Sequence, residues 1–106
     1  MPTADELKDQ GIQQFQQRDY EQAAETFRAA HSAYLDAGHD VMAAEMQVNR
    51  GLALHSLDQS DAALVEMGAA REVFQAQGDN IRLAQALGNM GRVYAKLGNT
   101  EQALTN

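Results

Sequence analysis

Cysteine and tryptophan are missing from this chain, and its single proline is Pro2. Without cysteine there are no disulfides, no thiolate metal sites and no cysteine nucleophile. Basic residues are scarce, with 8 Lys and Arg against 15 Asp and Glu, for a formal charge of −7. A phosphate backbone is bound by clustered cations, so nucleic acid is not an expected partner. An anionic membrane surface is disfavoured for the same reason. No stretch approaches the roughly 18 apolar residues of a membrane span. The opening Met1-Pro2-Thr3-Ala4-Asp5-Glu6 lacks the basic and apolar regions of a signal peptide. A soluble, cytoplasmic protein without membrane insertion is the expectation. Strand signals are lacking too: there is no β-branched run and no alternating segment.

What the chain does have is 44% hydrophobic residues, enough to rule out disorder by composition. Its 106 residues suffice for one small domain of modest stability. The dominant signal is an internal repeat. Gly11, Gly51 and Gly91 recur at intervals of 40, as do Ala23, Ala63 and Ala103. Ala29 and Ala69, Ala30 and Ala70, Gly38 and Gly78, Asn49 and Asn89, and Leu57 and Leu97 keep the same register. Phe27 aligns with Met67, and Tyr34 with Phe74.

Each unit reads as two helices. The pattern predicts helices over about 4–18 and 20–37, 40–57 and 60–77, and 80–97, with a further helix started before residue 106. The domain is expected to span 1–106, in units 4–37, 40–77 and 80–106, the last incomplete. Gly38-His39-Asp40 and Gly78-Asp79-Asn80 supply a C-terminal glycine followed by an Asp or Asn N-cap. Ser60 and Thr100 are N-cap candidates after the turns at Leu57-Asp58-Gln59 and Leu97-Gly98-Asn99. Ala23, Phe27, Ala30 and Tyr34 form one helical face. A glycine inside a helix costs about 1 kcal/mol relative to alanine. Its recurrence at 11, 51 and 91 points to a close crossing with the paired helix at Ala23, Ala63 and Ala103. The fold class is therefore all-α, a solenoid of antiparallel hairpins of about two and a half repeats.

The run Leu87-Gly88-Asn89-Met90-Gly91-Arg92-Val93-Tyr94, followed by Ala103, resembles the tetratricopeptide signature W-x2-L-G-x2-Y then A-x3-F. Gln47, Arg50, Gly51, Leu54, Ala63 and Met67 give the same pattern in unit two, and Leu7, Gln10, Gly11, Gln14, Ala23 and Phe27 in unit one. The chain departs from the family in its period of 40, in lacking a proline after the second helix, and in the polar Gln10 and Arg50. The resemblance implies a protein- or peptide-binding module, not an enzyme, with no cofactor. It also implies that the first helices line a concave groove. The matching positions are Asp5, Lys8, Asp9, Ile12 and Phe15 in unit one, and Glu45, Val48, Asn49, Leu52 and His55 in unit two. In unit three they are Gln85, Asn89, Arg92 and Lys96. An Asn amide both donates and accepts, so Asn49 and Asn89, one repeat apart, are suited to clamp an extended backbone. The carboxylate clamp of some family members is mostly absent, because only Lys8 and Asn49 match it while Ile12, Gln85 and Asn89 replace the rest.

Candidates for chemistry are few. His31, His39 and His55 form no metal-binding helical pair. The early acids Asp5, Glu6 and Asp9 are accounted for by the helix dipole, and Met42, Met46, Met67 and Met90 read as core filler. Unit three carries Leu87, Met90, Val93, Tyr94 and Leu97 on a helix whose partner is cut short, so a homo-oligomer through this face is an alternative expectation. A ligand-sensing regulator is a second alternative.

Overall fold

The structure, a computed structural model, describes the backbone of residues 1–105 and the side chains of residues 1–99. Five helices follow one another: α1 (Ala4–Gln16), α2 (Tyr20–Asp36), α3 (Asp40–Ser56), α4 (Ser60–Gln77) and α5 (Asn80–Thr105). No strand occurs among the described residues. Each helix packs on the next in sequence, and α3 also touches α5. The result is a slab of 50 × 32 × 17 Å made of two hairpins and a single long helix.

Local chemistry starts and stops these helices. Thr3 caps α1 in a capping box, its hydroxyl accepting from the Glu6 amide at 3.1 Å while the Glu6 carboxylate reaches back to the Thr3 amide. Asp79 does the same service for α5, accepting from the Arg82 amide at 3.1 Å. Asp40 and Ser60, expected as caps, are instead the first helical residues of α3 and α4, and His39 and Gln59 before them make no side-chain cap bond. Between units the chain turns on left-handed glycines, Gly38 (φ 78°) and Gly78 (φ 71°). Within units it turns on Arg18 (φ 63°) and Asp58 (φ 62°), side chains that tolerate this region at a cost of about 1–2 kcal/mol.

Gly98 stands one period after Asp58, yet here the expected break fails. α5 runs on without interruption through Leu97-Gly98-Asn99 to Thr105, so there is no fourth turn, and the helix passes through Thr100 instead of starting there. Glycine permits a positive φ but does not impose one. Ala103 lies beyond the described side chains.

The core repeats with the sequence. Ala23, Phe27, Ala30 and Tyr34 of α2 are buried, as are their counterparts Ala63, Met67, Ala70 and Phe74 of α4. Met46 is fully buried and Met90 nearly so, consistent with the core-filling role of the methionines. Fully burying side chains such as Phe27 and Phe74 stabilises the fold by about 1.5–3 kcal/mol each. The glycine crossings are tight, but the contacting residue is one turn beyond the expected alanine. A Cβ on Gly11 would lie 2.6 Å from the Phe27 ring, and one on Gly51 would lie 2.9 Å from Met67 and 3.2 Å from the Ala63 carbonyl oxygen. At Gly91 nothing among the described residues comes within 4 Å.

These three glycines should therefore respond differently to alanine. Gly11→Ala meets a rigid ring, and overpacking of about 1–3 kcal/mol outweighs the gain in helix propensity. Gly51→Ala meets a flexible thioether and should cost less. Gly91→Ala has open space and should stabilise by about 1 kcal/mol. Urea midpoints measure all three, and equal destabilisation at positions 11 and 91 would contradict the packing described.

Candidate functional site

The first helices of the units, α1, α3 and α5, share one face of the slab. Periodic spacing along each puts chosen side chains there: 5, 8, 9, 12 and 15 on α1, 45, 48, 49, 52 and 55 on α3, and 82, 85, 89, 92 and 96 on α5. Two adjoining cavities open on this face. One, of about 310 Å³, lies between α3 and α5 over Phe74. The other, of about 160 Å³, lies between α1 and α3 over Phe27. Asn49 and Leu52 line both, so the two form one continuous groove.

Nine of the fourteen groove residues anticipated from sequence line these cavities, and Asp5 does not. Glu45, Val48, Asn49, Leu52, Gln85, Asn89 and Arg92 line the larger, while Ile12, Phe15, Asn49 and Leu52 line the smaller. Lys8 and Asp9 lie one turn earlier on α1, outside both cavities, with Asp9 exposed. The amides of Asn49 and Asn89 are half-buried at the groove surface. Asn89 accepts from Arg92 only at 3.5 Å, the outer limit of a hydrogen bond.

Lys96 has a different position from the expected one. Its Nζ lies 2.5 Å from the Asp58 carboxylate and donates to the His55 carbonyl at 3.4 Å, so it ties α5 to the α3–α4 turn. That hydrogen bond holds the Asp58 carboxyl below its ordinary range. His55 is half-buried beside this pair, and burial, reinforced by the Lys96 charge, pushes its imidazole below its ordinary value.

Arg82 belongs to the site and was not among the anticipated residues. Its guanidinium pairs with Asp79 at 2.8 Å and faces the Glu45 carboxylate at 3.5 Å across the larger cavity. The signal was present in the sequence: Arg82 stands three residues before Gln85 and seven before Asn89, on the same helical face. Among the five apolar residues anticipated as an oligomer interface, Met90 (8% exposed) and Val93 (0%) are buried with Met67, and Leu97 packs partly against them. The 3.6-residue period turns them toward α4, which leaves only Leu87 (47%) and Tyr94 (58%) on the open face.

Comparison with protein families is decisive at this point, since the tetratricopeptide repeat model matches residues 42–106. The chain belongs to the tetratricopeptide repeat family. Comparison with curated proteins and with solved structures gives no match. Tetratricopeptide repeats are in general protein-interaction modules and typically non-catalytic scaffolds. The matched region holds α3, α4 and α5, and α1 with α2 extends the same tetratricopeptide packing toward the N-terminus. Among the described residues no helix is long and apolar enough to cross a membrane.

The site carries a pH dependence whose sign follows from the two shifts. A base held below its ordinary value is favoured neutral in the fold. His55 therefore contributes fully above 6.5, and stability falls as the pH drops through that value. Asp58, an acid held low, contributes above its ordinary 3.8 and loses that contribution only below it. From about pH 7.5 to about pH 5.5 the urea midpoint should fall, and His55→Gln should reduce the fall, because it removes the titrating group. Parallel slopes for the two proteins would show that burial of His55 is not felt by the fold.

Proposed function

We propose that this chain binds an extended segment of another protein along the groove formed by α1, α3 and α5. The observation that carries the reading is the continuity of the two cavities through Asn49 and Leu52. Apolar side chains form the smaller end and amides the larger, an arrangement that offers a ligand both a seat and backbone partners. Asn49 and Asn89 occupy equivalent places on successive first helices, so each can take one peptide bond of a chain crossing both. The binding module has no part in catalysis under this reading.

A second reading has its own observation. On α5, Leu87 and Tyr94 are exposed around Gly91, which has nothing within 4 Å among the described residues, whereas Gly11 and Gly51 are covered. Another copy of the chain is a suitable cover, because a two-fold contact buries the same patch twice.

Screening an array of peptides and titrating the best binder into protein tests the first reading. Asn49→Ala with Asn89→Ala should leave helicity intact and weaken binding about tenfold or more, at about 0.5–1.5 kcal/mol per lost hydrogen bond. A double variant as tight as the parent would remove the backbone clamp. Sedimentation over a wide concentration range tests the second. If the face self-associates, Leu87→Lys with Tyr94→Lys should shift the chain toward monomer. A chain that is monomeric throughout, or an oligomer indifferent to these substitutions, counts against that contact.

A further inference from the structure

The three groove helices differ in charge in a regular order. α1 carries Asp5, Glu6 and Asp9 against Lys8, a net −2. α3 carries Asp40 and Glu45 against Arg50, a net −1. From Asn80 to Asn99, α5 carries Arg82, Arg92 and Lys96 and no acid, a net +3. The chain as a whole is at −7, so the positive helix runs against the overall balance.

Register turns this order into a gradient along the groove. Residues one period apart stand at the same depth on successive first helices, which gives the rows Asp9, Asn49, Asn89 and Ile12, Leu52, Arg92. Reading across, a ligand meets carboxylate or aliphatic side chains over α1, amide and leucine over α3, and amide and guanidinium over α5. Not every charge is equally available. Arg82 already faces Asp79 and Glu45, and Lys96 is engaged with Asp58. Arg92 is exposed and is held, among the described residues, only by its 3.5 Å contact to Asn89. At the other end, Asp5 accepts from the Tyr34 hydroxyl at 2.5 Å, and Asp9 is exposed next to it on the helix surface, with Lys8 offsetting one of the two carboxylates. Burial first, then the bond to Asp5, with the charges of Asp5, Asp9 and Glu45 adding to it, push the Tyr34 phenol up to about 12.

We propose that the groove is polarised and selects an extended peptide with a basic side chain over Asp9, an apolar one against Ile12, Phe15 and Leu52, and an acidic one on Arg92. The proposal rests on the groove reading above and adds the chemical class of the ligand to it. Neighbouring helices spaced by about 10 Å put α1 and α5 about 20 Å apart, so the basic and acidic side chains should be separated by about six extended residues. Complementary charge at both ends also fixes the direction in which such a peptide lies.

Fluorescence anisotropy with three labelled, capped synthetic peptides of about twelve residues decides the matter. All share a central leucine and the same spacing. One has lysine on one side and glutamate on the other, the second glutamate on both sides, and the third lysine on both. Attraction to the net charge alone would rank the basic peptide first. The polarised groove should bind the mixed peptide about tenfold tighter than the acidic one, and tighter than the basic one, at low salt. Arg92→Glu should move the preference to the basic peptide and Asp9→Lys to the acidic one. Both residues are exposed, and circular dichroism checks that helicity is kept. A ranking that neither charge reversal alters overturns the polarity. If Asn49→Ala with Asn89→Ala still weakens all three peptides in that case, the groove reading survives its loss. If no peptide binds, or the amide variant binds all three as the parent does, both readings fall.

Discussion

A side chain seated on a helical glycine holds each hairpin together. Phe27 lies on Gly11 and Met67 on Gly51 at distances that leave no room for a β-carbon. The close crossing brings α2 against α1 and α4 against α3, and it also places Phe27 and Phe74 beneath the groove as its floor. Packing and binding surface are thus two sides of the same layer. The second helices supply apolar bulk from below, and the first helices can then give their outward face to polar side chains without loss of core.

That division explains which residues were legible in the sequence. The 40-residue period located all five helix starts, because the turn glycines and the apolar face of the second helices repeat together, although Asp40 and Ser60 open their helices without capping them. The groove face followed from the same period. Nine anticipated residues line its cavities because a helix face is fixed by spacing alone.

What escaped was whatever depended on a third body. Lys96 reads as an open cation on a groove face, but its long side chain reaches the turn of the preceding unit, and no pattern within α5 announces Asp58 as its partner. Arg82 sits in the first turn of its helix, where a sequence reading attends to capping rather than to the facing Glu45. Met90 and Val93 were counted with their exposed neighbours because apolar residues cluster on both faces of α5, and only the position of α4 separates the two sets. The uninterrupted course of α5 past Gly98 is the same kind of case. Glycine makes a turn available without imposing it, and in α5 the helix runs on through it.

The two ion pairs that hold α5 fall near opposite ends of its described part, Arg82 with Glu45 and Lys96 with Asp58. Fourteen residues separate them, about 21 Å of helix at 1.5 Å per residue. Both cross from unit two to unit three, alongside the buried packing of Met90 and Val93 against Met67. Each is partly solvated and of the kind worth about 0–1 kcal/mol, too little to decide whether the chain folds. Ionic strength weakens such pairs, while the apolar packing within the hairpins does not depend on it.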